Sequence, residues 1–324
     1  MRRIAAALTV PALGILLLAG CGSAGTSSPA SSSSSGGSGA NTPVTVTGAF
    51  GANPQVTIPA SKASGNLAIK TVIKGTGATL ADTDSFVGNY AVYIWSGTTH
   101  KLALSTFTQG TPQVLAAKVG LPGLAKALSG QKMGSRVLAV LPPSEAYGSQ
   151  GNSQIGVGPN DTVVFVVDLI KNFAPTASAT GQQVSSGGGQ LPSVKATPGT
   201  MPKVTIPAAK EPGKLITKTL IKGSGEPVAK GDEVVTQYVG VNWRTKKVFD
   251  SSWSRQQPFG FELDATPEQI IPGWDKGLAG VPAGSRVMLI IPPADGYGKT
   301  GNAQAGIKGT DDLVFIVDVL AGVK

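Results

Sequence analysis

The feature that most constrains the fold is one sequence unit that occurs twice. Pro54-Gln-Val-Thr-Ile-Pro-Ala and Pro202-Lys-Val-Thr-Ile-Pro-Ala differ at one position and lie 148 residues apart, the same offset that separates Tyr90 from Tyr238. Further along, Gly134-Ser-Arg-Val and Gly284-Ser-Arg-Val lie 150 residues apart. A period this long indicates duplicated domains and not a solenoid of short repeats. We therefore predict two related domains, at residues 54–172 and 201–324.

The segments outside these two units have the composition of linkers. Residues 173–200 are rich in Ala, Ser, Thr, Gly, Gln and Pro and carry one charge, Lys195. In residues 22–42, Gly and Ser occupy 14 of the 21 positions. Such segments bury too little apolar surface to offset the entropy lost on ordering. We predict a tether at residues 22–53 and a linker at 173–200.

The first 21 residues resemble the signal peptide of a bacterial lipoprotein. Arg2 and Arg3 precede an apolar run at residues 4–18, which is short for a membrane span. The run ends in Leu18-Ala-Gly-Cys21, which resembles a lipobox. This predicts acylation of Cys21 and an extracytoplasmic protein anchored to the lipid bilayer of the cell membrane. The alternative is an ordinary signal peptide followed by a buried free cysteine.

The composition excludes several classes of site. The chain has one Cys and one His, so no disulfide forms within it and neither a Cys/His zinc site nor a His-dependent triad can occur in both copies. No cofactor or metal is expected. The net charge of +9 is spread along the chain and is not interleaved with aromatic residues, which argues against nucleic-acid binding.

Within each copy the pattern is mostly that of strands. Residues 233–241 and 286–291 are apolar, β-branched runs, and apolar residues recur at every second position from Leu313. One helix is predicted at Pro272, which suits a first helical turn, with Trp274 and Leu278 on one face. This predicts an α+β fold in which one short helix covers a face of an antiparallel sheet.

The second copy carries motifs that together resemble a known family. In order, they are Val235-Thr-Gln-Tyr-Val-Gly, Val248-Phe-Asp-Ser-Ser, Pro258-Phe, Ile270-Ile-Pro-Gly-Trp, Gly284-Ser-Arg-Val, Gly296-Tyr-Gly and Leu313-Val-Phe. This order resembles the FKBP family of peptidyl-prolyl cis-trans isomerases. The resemblance implies two FKBP-like domains, each an antiparallel half-barrel sheet wrapped around one short helix, with an apolar pocket between sheet and helix.

The resemblance also implies the site and its partners. The partners would be proline-containing polypeptide clients and macrolide inhibitors, with Trp274 as the floor of the pocket and Ile307 at its rim. The residues that match the catalytic positions are Tyr238, Phe249, Asp250, Trp274 and Tyr297. Those that match substrate-binding positions are Arg255, Phe259, Ile270, Ile271, Ile307 and Phe315.

These positions also have simpler interpretations. The aromatic residues could be hydrophobic core, and Asp250 before two serines could accept hydrogen bonds at a turn or helix cap. A surface ion pair of Asp250 with Arg255 would contribute little stability. The isomerase hypothesis therefore has two alternatives, a chaperone that binds clients with both domains without catalysis and a purely structural spacer.

The first copy departs from the pattern at the pocket. Leu124 stands where the second copy has Trp274, and residues 102–106, Leu-Ala-Leu-Ser-Thr, replace Phe-Asp-Ser-Ser and contain no carboxylate. We expect the fold to persist, the hydrogen-bond acceptor of the pocket to be lost, and isomerase activity to be weak or absent. A role in binding, spacing or client capture remains for this domain.

Overall fold

The computed structural model describes residues 43–118 and 120–324, and its framework is two large antiparallel sheets, one in each domain. The elements of the first domain are β1 (Thr45–Thr47), β2 (Gln55–Thr57), β3 (Ala68–Ile73), β4 (Ser85–Ser96), β5 (Thr99–Ser105), α1 (Thr106–Gln109), β6 (Gln113–Ala116), α2 (Pro122–Leu128), β7 (Arg136–Leu141) and β8 (Thr162–Phe173). Its six-stranded sheet has the order β3-β7-β8-β4-β5, with β6 paired to β4.

The second domain repeats this arrangement with one additional edge strand. Its elements are β9 (Gln182–Gln183), β10 (Ser193–Lys195), β11 (Lys203–Thr205), β12 (Ile216–Lys222), β13 (Glu233–Asn242), β14 (Val248–Ser251), α3 (Ser252–Arg255), β15 (Phe259–Glu262), α4 (Pro272–Leu278), β16 (Arg286–Ile291) and β17 (Leu313–Val323). Its sheet has the order β14-β13-β17-β16-β12-β9, with β15 paired to β13. The predicted α+β class is confirmed, and α4 begins at Pro272 as expected.

The central strands are buried on both faces. In β17, Phe315 and Val317 face α4, while Val314 and Ile316 belong to a second apolar cluster on the opposite face. A two-stranded hairpin covers that opposite face in each domain, formed by β1 and β2 in the first and by β10 and β11 in the second. Continuous apolar runs in these strands follow from this double coverage.

A buried ion pair attaches the hairpin of the first domain to its sheet. Arg136 Nε donates to Asp168 Oδ1 at 2.6 Å, and both side chains are fully buried. The remaining guanidinium nitrogens of Arg136 donate to the carbonyl oxygens of Gly48 and Ala52, and the N–H of Gly51 donates to Asp168 Oδ2 at 2.7 Å. Each charged group is thereby hydrogen-bonded, as burial requires.

The hairpins shift two of the predicted boundaries. Residues 43–53 were predicted as tether, yet Val44 is buried and β1 pairs with β2. Within the predicted linker at 173–200, β9 pairs with β12 and β10 pairs with β11. Apolar residues spaced by two, such as Val44 and Val46, give these short segments one face to bury, which overall composition conceals.

The signal peptide, the lipobox cysteine Cys21 and residues 22–42 of the predicted tether lie outside the described residues. Among the helices that the structure describes, none has the length and apolar character needed to span a membrane.

The two domains contact each other through neighbouring strands. β6 of the first domain packs against β15 of the second. A small apolar cluster lies at this interface and includes Val87 and Phe173 from the first domain and Val235 and Ala321 from the second. The strands that carry the two pockets described below are therefore direct neighbours.

Candidate active site

An apolar cavity opens between α4 and the sheet of the second domain. We call it the second-domain cavity. Because Ile271 is the extended N-cap residue and Pro272 occupies the first turn of α4, the chain enters the helix with Ile270 and Ile271 against the cavity. The lining consists of Tyr238, Phe259, Ile270, Ile271, Trp274 and Phe315, all of them predicted pocket residues.

Trp274 is the centre of the aromatic packing in this cavity. Its indole ring makes edge contacts with the ring of Tyr238 at 5.1 Å and with that of Phe315 at 5.3 Å between centroids. The side chain is 3% exposed, and its Nε1 has no hydrogen-bond partner among the described residues. Edge-to-face contacts of this kind favour one arrangement of the rings, and this packing shapes the apolar wall of the cavity.

Three polar side chains meet at one edge of the cavity. The hydroxyl group of Tyr238 donates a hydrogen bond to Asp250 Oδ2, and the Arg255 guanidinium donates to Asp250 Oδ1. A second nitrogen of Arg255 donates to the Tyr238 hydroxyl oxygen at 2.7 Å. Burial, followed by the hydrogen bond to Asp250, raises the pKa of Tyr238 above its usual range, so its hydroxyl keeps its proton.

The two serines after Asp250 explain how this cluster is positioned. Ser251 is the N-cap of α3, and its Oγ accepts from the N–H of Ser254. Ser252 Oγ accepts from the N–H of Tyr238 at 2.7 Å. The cap acceptor is therefore Ser251 and not Asp250, whose carboxylate accepts from Tyr238, Arg255 and the N–H of Ser251.

The other predicted site residues lie beside the cavity and do not line it. Phe249 packs edge-on against Phe315 at 5.4 Å, and Tyr297 packs against the same apolar cluster. Burial, and then the charge of Asp250, raises the pKa of Tyr297 to about 12, although a hydrogen bond with the Asn302 side chain lowers it. Ile307, predicted at the rim, is 4% exposed and pairs through its backbone with Asn302.

The sequence did not indicate Phe261, and it placed Gly240 in a motif without giving it a role at the site. Phe261 stacks on Phe259 at 5.7 Å and contacts Trp274 at 5.5 Å. Its position two residues after Phe259 in one strand is a signal that could have identified it. Gly240 leaves room for the rings, since a Cβ there would lie 2.7 Å from Phe249 and 2.9 Å from Phe315.

The equivalent place in the first domain holds a larger cavity, the first-domain cavity. Leu124 occupies the position of Trp274, and Leu104 pairs with Val92 where Asp250 pairs with Gly240. The expected loss of the carboxylate is thus confirmed. The Tyr90 hydroxyl nevertheless has a partner, because it donates to Gln113 Oε1 at 2.6 Å, from a different strand.

Comparison with known protein families matches residues 78–170 and 224–320 to the FKBP-type peptidyl-prolyl cis-trans isomerase family. The two matches together cover more than half of the chain and fall on its two sheets. The chain belongs to this family. The tandem FKBP-type organisation inferred from the repeat is thereby confirmed.

Individual FKBP relatives match one domain's length. The FK506-binding protein of Streptomyces anulatus is 38% identical over 120 residues, which are 37% of this chain and 95% of that protein. A probable FK506-binding protein of Corynebacterium glutamicum is 37% identical over 120 residues, or 37% of this chain and 97% of its own length. The crystal structure of FkpA from Escherichia coli matches at 37% identity with a TM-score of 0.31, covering 34% of this chain and 48% of that chain.

Proposed function

We propose that the second domain is the catalytic domain and that it isomerises prolyl peptide bonds in polypeptide clients. The observation that carries the proposal is the second-domain cavity, whose aromatic wall is bordered on one side by the Tyr238, Asp250 and Arg255 cluster. Apolar walls suit a prolyl ring, and the polar edge offers groups for the backbone that flanks it.

The reaction needs no nucleophile or metal ion. Rotation about an X-Pro amide is slow because it breaks amide resonance, with a barrier of about 18 to 20 kcal/mol. The twisted amide has lost its charge separation, so a dry apolar cavity favours it over the planar form. A thousandfold acceleration requires only about 4 kcal/mol of such preference.

The polar cluster would hold the client in the twisted geometry. The high pKa of Tyr238 keeps its hydroxyl neutral, and Arg255 holds the Asp250 carboxylate beside it. Asp250 retains 24% exposure of its side chain, so it is accessible to a bound peptide. We assign positioning of the client backbone to Asp250 and Tyr238, and packing on the prolyl ring to Trp274.

The experiment is a measurement of cis/trans exchange in a proline-containing peptide by the full chain. We expect acceleration by the native chain and a loss of about tenfold or more for Asp250→Ala, consistent with removal of a charged hydrogen-bond partner. Lys230→Ala, which removes an exposed ion pair with Asp264 in the same domain, is the control and should leave exchange unchanged. An equal rate for the native chain and Asp250→Ala would contradict the assignment.

We also propose that the protein acts outside the cytoplasmic membrane, anchored by acylated Cys21, and that macrolide ligands of the family occupy the second-domain cavity. The lipobox-like sequence and the N-terminal apolar run support the anchoring. Labelling with a fatty-acid analogue should modify the native chain, whereas Cys21→Ala should remain unlabelled and leave the membrane fraction. Labelling of Cys21→Ala would contradict the anchoring.

Client binding without catalysis is the second candidate function, and the first-domain cavity favours it, because a large cavity persists where Trp274 and Asp250 have no counterparts. Suppression of client aggregation that survives Asp250→Ala, together with negligible exchange by the native chain, would support this candidate over the isomerase.

A further inference from the structure

The lining of the first-domain cavity is uncharged and mostly apolar. Its walls are apolar side chains from the sheet, α2 and the segment between β7 and β8, and the remaining lining groups are hydroxyl and carboxamide groups. Among the described residues, no charged side chain lines it. The principal wall residues are Phe86, Val92, Leu104, Leu115, Leu124 and Phe165.

The size of this cavity follows from smaller residues at equivalent places. Leu124 replaces Trp274 on the helix, and Leu115 replaces Phe261 at the matching register of β6 and β15. By the same register Gln113 stands where Phe259 stands. The loss of these rings makes the first-domain cavity larger than the second-domain cavity. It therefore has room for a bulkier apolar group than the second-domain cavity has.

The polar groups of the cavity are neutral. The Tyr90 hydroxyl is satisfied by Gln113, and burial raises the pKa of Tyr90 to about 12, so it stays protonated. The hydroxyl of Tyr147 and the carboxamides of Asn152 and Gln154 complete the lining. A charged ligand would lose its hydration without gaining a partner. Carboxamides, in contrast, match the donors and acceptors of a peptide backbone.

The position of the cavity connects it to the candidate active site. Leu115 lines the first-domain cavity, while Val114 of the same strand packs against Gly260 of the second domain. Gly260 follows Phe259, which lines the second-domain cavity. Only the neighbouring strands β6 and β15 would thus separate a polypeptide held in the first-domain cavity from the second-domain cavity. This proximity would raise the effective concentration of the polypeptide at the second-domain cavity.

We propose that the first-domain cavity is a client-holding site that takes a large apolar side chain, such as that of Phe or Leu, from an uncharged polypeptide segment, without requiring proline. Binding at this site stands independently of catalysis. Only the delivery of the held segment to the second domain rests on the proposed isomerase function.

The test is a calorimetric titration of the full chain with three proline-free peptides of Gly, Ser and Thr that carry a central Phe, Ala or Glu. We expect the Phe peptide to bind and the other two to bind at least tenfold more weakly. Leu124→Trp, which places the residue of the second domain into the cavity, should weaken binding of the Phe peptide at least tenfold. Leu115→Phe fills the same cavity with the residue of the second domain and serves if Leu124→Trp does not fold.

Several results would overturn the proposal. The proposal is wrong if the Phe peptide binds the native chain and a folded cavity-filled variant with equal affinity, or if the three peptides bind with equal affinity. It is also wrong if none of the peptides binds, or if the chain binds dodecyl maltoside monomers but not the Phe peptide. The titration measures binding alone. A chain that binds the Phe peptide but shows no prolyl exchange would contradict the proposed catalysis and leave this inference standing.

Discussion

The backbone N–H of Val114 in the first domain donates a hydrogen bond of 3.2 Å to Oε1 of Glu233 in the second. Glu233 is 5% exposed, and the apolar cluster between the domains includes its neighbour Val235. Burial, reinforced by the charge of Glu262, raises the pKa of Glu233 to about 8, although the N–H of Val114 opposes the shift. The contact between the domains therefore contains a carboxyl group that is protonated at neutral pH.

This burial predicts that stability falls as pH rises. In the unfolded chain the carboxyl group loses its proton near its ordinary pKa of 4.5, whereas in the folded chain it keeps the proton up to about pH 8. The folded state binds more protons in this interval, so the free energy of unfolding decreases by up to about 1.4 kcal/mol per pH unit. Urea unfolding at pH 5, 6.5 and 8 measures the slope. Glu233→Gln should remove this contribution, and an unchanged slope in that variant would contradict the assignment.

Replacing Trp274 by Leu, the residue of the first domain, should lower kcat/KM for a prolyl peptide by more than tenfold. The change removes the ring that contacts both Tyr238 and Phe315. Trp243→Leu is the matched control, because Trp243 is also buried but lies in the cluster on the opposite face of the sheet. Both variants should lose stability through cavity formation. Similar losses of kcat/KM in the two would show that Trp274 acts only through stability.

Gly240→Ala should disturb the packing of the aromatic rings beside the second-domain cavity. The added Cβ would meet the rings of Phe249 and Phe315 at less than 3 Å. Displacing packed rings costs about 1 to 3 kcal/mol, and we expect a lower free energy of unfolding together with a higher KM. Gly296→Ala, whose Cβ meets no atom closer than 3.4 Å, is the control for stability. Native stability in Gly240→Ala would refute the steric argument.

Arg136→Ala should release the β1 and β2 hairpin from the first domain. The substitution leaves the Asp168 carboxylate buried without its ion pair, at a cost of about 3 to 5 kcal/mol. Lys126→Ala breaks the more exposed pair with Glu145 and should cost less than about 1 kcal/mol. Hydrogen exchange of the Gly51 amide, which is bonded to Asp168, reports the release. Continued protection of that amide in Arg136→Ala would contradict the prediction.

Much of the candidate site was predictable because many of its residues lie close together in the sequence. Ile270, Ile271 and Trp274 surround the start of α4, and a proline at the first helical turn identifies that start. Asp250 lies two residues before α3, and Arg255 is the last residue of that short helix. Local spacing was sufficient to predict that the residues within each of these segments lie near one another. The order of the motifs along the chain then identified the fold of the domain.

Gln113 could not be predicted as the partner of Tyr90. In the second domain the acceptor for the tyrosine hydroxyl comes from β14, whereas in the first domain it comes from β6. Both β5 and β6 pair with β4, which carries Tyr90, and this pairing is what brings either strand close to the tyrosine. A hydrogen bond between residues 23 positions apart leaves no periodic signal in the sequence.

The sequence by itself determined that there are two copies of one α+β unit, that the second copy has the aromatic and acidic residues of the FKBP pocket, and that the first has lost Trp and Asp there. These properties are local, since they depend on residue type and spacing. The tertiary structure alone decided that hairpins cover the outer faces of both sheets, that the first-domain cavity is the larger, and that Glu233 is buried against Val114. Each of these depends on packing between distant segments, and cavity volume and burial are properties of the assembled side chains.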